Sequence, residues 1–121
     1  MLFRSDTEVT ARAVYAAEAG LSFSHTHAQG LGSLVIFAST VAAGVVPWRR
    51  ARGALYALFV LGALFPLGYL AYSVATLERG RDAGIEIVER YVLTPLGSSA
   101  IVGLVALAVL MVAGRRRGQA A

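Results

Sequence analysis

Cysteine is absent from the 121 residues. That excludes disulfides, thiol nucleophiles, thiolate zinc sites and cysteine-ligated iron–sulfur clusters. Charge is scarce as well: 15% of residues are charged against 57% hydrophobic, with mean hydropathy +0.66. A soluble domain must cover its core with polar residues and a disordered chain needs low hydrophobicity, so both classes are disfavoured and a membrane protein is expected. Lysine is missing too, and all eleven basic residues are arginine. Histidine occurs only at His25 and His27.

The charges that remain are unevenly placed. Six arginines stand in two compact groups, Arg49, Arg50 and Arg52, then Arg115, Arg116 and Arg117, with no acid beside them. The other five arginines share their segments with all seven acids, a balance of −2. Three runs carry no charge: Ala28 to Trp48, Gly53 to Leu77 and Tyr91 to Gly114. About 20 helical residues cross a hydrocarbon core of about 30 Å, so each run suffices for one span. The expected fold is therefore all-α, a three-transmembrane-helix bundle with spans near 28–47, 54–76 and 96–113.

Odd parity returns the C-terminus to the side of the first turn, which joins the two arginine groups. The positive-inside rule then predicts a multi-pass protein of the cytoplasmic (inner) membrane, with both groups cytoplasmic and the N-terminus outside. These six arginines fix topology, and their charge suits anionic lipid headgroups. With the net charge of +4 so located, no nucleic-acid partner is expected.

Residues 1–24 lack the basic start and apolar core of a secretory signal, so no cleaved leader is expected there. They read instead as a separate extracytoplasmic amphipathic helix preceding a membrane domain over 25–121. Ser5 to Glu8 can form its capping box, and Val9, Ala13, Ala16, Ala17 and Gly20 its apolar side. Ile85, Val88 and Val92 stand against Glu86, Glu89 and Arg90, which suggests a short interfacial helix on the same face. Thr94-Pro95 reads as the capped start of the third span, and Pro66 predicts a kink near Gly62 in the second.

Proton relays and ion-coupled transporters usually place ionisable groups within the membrane, and these three runs have no charged residue. A small oligomeric transporter is accordingly the weakest of three readings. If residues 25–45 are helical, His25 heads a row through Gln29, Ser33, Ile36, Thr40 and Gly44, whereas His27 heads the more apolar row Leu31, Leu34 and Ala38. The first row resembles a helix–helix interface, with Thr40 and Gly44 as small residues four apart, and Gly44→Leu is expected to disturb packing. Imidazole suits zinc, copper and haem iron. Glu18, Glu78, Asp82, Glu86 and Glu89 share the outer side with His25 and His27 and could complete a copper or zinc site. Haem needs axial ligands on opposite faces of the ring, which two histidines this close on one helix cannot supply. The alternative for both imidazoles is ordinary hydrogen bonding to phosphate, backbone or water.

The stretch HTHAQGLGSLVIF, residues 25–37, resembles the HAHLNLLG-type segment of small bacterial membrane proteins distantly related to subunit I of haem-copper oxidases. His25, His27, Leu31 and Gly32 match that pattern, with Gln29 where it has Asn. The resemblance implies an integral membrane protein of respiratory or nitrogen-oxide metabolism near haem or copper. Small size, small-residue helix faces, two amphipathic outer segments without an obvious partner in the chain and the lack of a complete active site make the expected function an accessory subunit of a larger membrane complex, respiratory, electron-transferring or metal-oxidising, with His25 placed near a partner's cofactor. An independent metal-binding or metal-delivery protein using His25 and His27 is the alternative. No constellation that would make the chain an enzyme on its own stands out.

Overall fold

The computed structural model describes the backbone of residues 2–120 and the side chains of residues 6–118. Helices α1 (Leu2–Val45), α2 (Arg49–Ala63), α3 (Phe65–Arg79), α4 (Arg81–Val88) and α5 (Thr94–Ala120) follow in order, with a π-helical turn at Glu89–Leu93. No strand occurs among the described residues. The chain is an all-α membrane-type bundle of three long helical rods that run alternately up and down: α1, α2 with α3, and α4 with α5. Three stretches, Asp6–Val45, Arg49–Arg79 and Arg81–Gly118, are long and apolar enough to cross a membrane.

Each rod is longer than its expected span, and the reasons are local. Residues 1–24 do not form a helix of their own, because α1 runs unbroken from Leu2 to Val45. Nothing between Ser22 and Ala28 breaks a helix; the segment holds neither proline nor glycine. Ser5 consequently stands inside α1 and cannot act as its N-cap, and the side chain expected to do so lies outside the described residues. The apolar side expected there is largely correct: Ala13, Ala16, Ala17 and Gly20 are buried, while Val9 is exposed.

The segment expected as a separate interfacial helix is continuous with the third rod. Val88 is buried, Ile85 and Val92 are half-buried, and Glu86, Glu89 and Arg90 point outward, so its polarity is as read. Its direction is not: α4 runs antiparallel to α3, with Gly84 so close that a Cβ there would lie 2.7 Å from the Ala75 carbonyl carbon. Thr94 is no N-cap either. Its φ and ψ of −63° and −49° are helical, and its N–H bonds to the Glu89 carbonyl five residues back. Pro95 has no N–H for the Tyr91 carbonyl and its ring crowds the preceding turn; one wider π turn relieves both without ending the helix.

Pro66 acts in the same way on the second rod. The break between α2 and α3 falls at Leu64, where φ and ψ are −77° and −10° and the N–H is shared between the Val60 and Leu61 carbonyls, both at 3.2 Å. The expected kink is therefore present, two residues beyond Gly62. At the far turn Gly80 has φ +83°, the left-handed backbone that glycine adopts without strain.

Two packed regions result. Near the arginine turn, Ala38, Ala42 and Val46 of α1 and its exit meet Leu55 and Phe59 of α2 and Leu107 of α5. Beyond the Leu64 break, α1 packs on α3, with Ser73 and Thr76 buried. Here polar groups are paired across helices: the Ser24 hydroxyl donates to the Pro66 carbonyl at 2.8 Å, and the Ser73 hydroxyl lies 2.8 Å from the Ala17 carbonyl. The two arginine groups share one end, where the Arg117 guanidinium stands 5.2 Å from the centre of the Trp48 ring.

Candidate functional site

The histidine segment sits in the middle of α1, so its geometry is that of a regular helix. The two imidazoles face different surroundings, as the helical spacing implies. His25 is exposed, while His27 is half-buried against α3. The Nδ1 atom of His27 lies 2.8 Å from the Phe23 carbonyl oxygen. A carbonyl can only accept, so Nδ1 is the donor in this contact and Nε2 is the nitrogen left for any other partner.

Aromatic rings surround His27. Phe65 and Tyr69 have centroids 5.4 Å and 5.0 Å away, and Phe23 completes the group at 6.3 Å. Tyr72 extends it, 6.2 Å from Tyr69. Below the imidazole runs a groove of about 240 Å³ between α1, α3 and α5, lined by His27, Leu31, Phe65, Gly97, Ile101 and Leu104 among others. His27 is its only residue with an ionisable side chain. Sequence reasoning missed this aromatic cluster. Its signal was present as two pairs four residues apart, Phe23 with His27 and Phe65 with Tyr69, which must each share a helix face.

The other proposed ligands are not gathered around the histidines. Glu18, Glu78, Asp82, Glu86 and Glu89 are all exposed, and among the described residues no three histidine, aspartate or glutamate side chains are placed to hold one metal ion. The only ion pair among them joins Asp82 to its neighbour Arg81 at 3.0 Å. A haem would find one imidazole at the groove; the other histidine lies on another face of the same helix. The residues present therefore do not by themselves complete a haem, copper or zinc site.

The row read as a helix–helix interface is not used within the chain. Gln29, Ser33, Ile36, Thr40 and Gly44 are all exposed, and a Cβ at Gly44 would meet nothing within 4 Å. The opposite row packs instead: Ala38 is 2% and Ala42 0% exposed. Both rows contain small residues four apart, so that criterion could not choose between them, and the more apolar row turned inward. The hydroxyls of the outward row bond to their own helix, Ser33 to the Gln29 carbonyl at 3.1 Å and Thr40 to the Ile36 carbonyl at 2.9 Å.

Arg49, Arg50, Arg115, Arg116 and Arg117 are exposed, whereas Arg52 is half-buried and reaches the Val46 carbonyl at 3.4 Å. No family model, no curated protein and no solved structure matches this chain.

Proposed function

We propose that this chain is an accessory subunit of a larger membrane assembly, whose role is to pack against other membrane-embedded protein through the outward face of α1. The observation that carries this reading is Gln29. Its side chain is exposed, among the described residues it has no hydrogen-bond partner, and it lies within the uncharged stretch between Glu18 and Arg49, in the outer part of the first span expected over 28–47. Lipid tails offer a carboxamide nothing to bond, and an unpaired polar group in hydrocarbon costs several kcal/mol. A protein neighbour relieves that cost. The respiratory or metal-oxidising setting of the assembly rests on the resemblance of residues 25–37.

The test is native mass spectrometry of the protein tagged at its own locus and released in mild detergent. The intact chain is expected to travel in a complex, and Gln29→Leu to shift it toward the monomer. A lone monomer for both proteins would overturn the proposal.

A second reading is favoured by one observation. The contact from His27 Nδ1 to the Phe23 carbonyl orients the ring and leaves Nε2 without a protein partner among the described residues, the orientation that metal-ligating histidines are commonly given. His27 would then donate one nitrogen to a metal or haem whose remaining ligands come from a partner. Loss of co-purifying metal or haem in His27→Ala, but not in His25→Ala, is the expected result; retention in both would remove this reading.

A further inference from the structure

The outward face of α1 has a period. Ser22, Thr26, Gln29, Ser33, Ile36, Thr40 and Ala43 follow one another at alternating steps of four and three residues, and every one of them is exposed. This is the spacing of a left-handed coiled-coil seam, in which two helices cross at about 20°. Thr26, Ser33 and Thr40 hold one seam position, and each hydroxyl bonds to the carbonyl of the preceding seam residue, Ser22 at 3.1 Å, Gln29 at 3.1 Å and Ile36 at 2.9 Å. The hydroxyls of the surface are thus locally satisfied, and the Gln29 carboxamide protrudes from its outer half.

We propose that the occupant of this seam is a second copy of the chain, packed parallel to the first through α1. The proposal deepens the accessory-subunit reading and rests on it. Two arguments select a second copy. Charge complementarity is the first: a carboxamide carries a partly positive N–H and a partly negative C=O, so it is complementary to itself. Copies inserted with one topology lie parallel, and in a parallel seam identical positions face each other. Gln29 then meets Gln29 of the other copy and each donates to the other. Contact length is the second: Ser22 to Ala43 spans about 32 Å at about 1.5 Å per residue, as long as a hydrocarbon core of about 30 Å is thick. No charged residue interrupts it.

The absence of cysteine makes the test direct. Single substitutions Ser33→Cys, Ile36→Cys, Thr40→Cys and Ala43→Cys are oxidised in native membranes beside Leu34→Cys and Val45→Cys, which are also exposed but lie off the seam. Seam positions are expected to give disulfide-linked dimers at least several-fold above the two controls. Adding Gln29→Leu should lower that yield several-fold, and Gln29→Asn should restore part of it. Equal yields on and off the seam overturn the homodimer. If such a chain still travels with a different protein, and Gln29→Leu releases it, the second copy is refuted and the accessory role stands. If it travels with nothing, both proposals fall.

Discussion

Substituting Gly62 by alanine probes the fold most sharply, because the atoms in the way are the Cβ and backbone of Ala100, which no rotamer moves. A Cβ built at Gly62 lies 2.6 Å from the Ala100 Cβ, 2.9 Å from its Cα and 3.1 Å from its nitrogen. No rotamer change can clear such contacts, so α2 and α5 must separate by roughly 1 Å to reach ordinary van der Waals distance. That movement loosens the neighbouring contact of Phe59, which is 1% exposed, against Gly103, one turn from Ala100. Overpacking of this kind costs about 1–3 kcal/mol, and backbone obstruction places it toward the upper end. Alanine returns about 1 kcal/mol through its better helix propensity. The net expectation is a loss of roughly 1–2 kcal/mol. Gly44→Ala is the matched control: it has the same propensity gain and nothing within 4 Å. Unfolding in mixed micelles with rising SDS, followed by helical circular dichroism and by the emission of the single tryptophan, Trp48, measures both. Equal midpoints for Gly62→Ala and Gly44→Ala would refute the close approach of α2 and α5.

Ser73→Ala removes the hydroxyl that ties α3 to the Ala17 carbonyl and should lower stability by roughly 0.5–1 kcal/mol in the same assay, the range of bonds between membrane helices. His27→Phe should be tolerated because the ring stands among Phe23, Phe65 and Tyr69, whereas His27→Ala should lose about 2 kcal/mol or more through the space it leaves. Equal stability of the two variants would show that the aromatic cluster is not packed as described. Arg117→Ala should shift Trp48 emission, since the guanidinium lies 5.2 Å from the ring centre, while Arg115→Ala should leave it unchanged. For the proposed orientation, a cysteine replacing Ala83 should react with a membrane-impermeant reagent in intact cells and one replacing Ala51 should not; the reverse pattern would invert the topology.

The number of rods and the meeting of the arginine groups were legible because both follow from long-range composition: charge-free runs of sufficient length, and parity. Local punctuation was less legible. Proline was read correctly as a perturbation at Pro66, but at Pro95 it was read as a helix start. A proline with a threonine before it satisfies the rule for a first turn equally well as the rule for a tolerated interior kink. What decides between them is whether the preceding segment has somewhere to pack, and Gly84 and Val88 of α4 give it α3. The same holds for residues 2–24, whose alanine-rich side finds α3 within the chain. The histidines were legible as a pair facing different directions, since that needs only 3.6 residues per turn. Which face was buried depended on comparing two rows, one with more hydroxyls and an amide and one with more aliphatic side chains. Apolarity settled that choice, and the small-residue spacing did not.

The two prolines also explain why His27 stands where it does. Phe65 beside the Leu64 break approaches Gly97, two residues after Pro95, with a Cβ at Gly97 placed 3.0 Å from the Phe65 ring. The disturbances in the second and third rods thus fall at neighbouring levels and form a waist between the two packed regions. Toward the arginine end α1 lies on α2 and α2 on α5; beyond the waist α1 lies chiefly on α3. A bend in one of three close-packed rods opens space, which an unbroken neighbouring rod must fill. Here α1 is that rod. Ser24 supplies the hydroxyl for the Pro66 carbonyl, and His27, one turn further along, brings a flat ring into the space beside Phe65. The inward side of α1 is therefore committed to closing the waist. Gln29, next on the helix but turned outward, has no such role inside the bundle. A carboxamide on an uncharged, apolar stretch of helix with no internal task is best explained by something outside the chain.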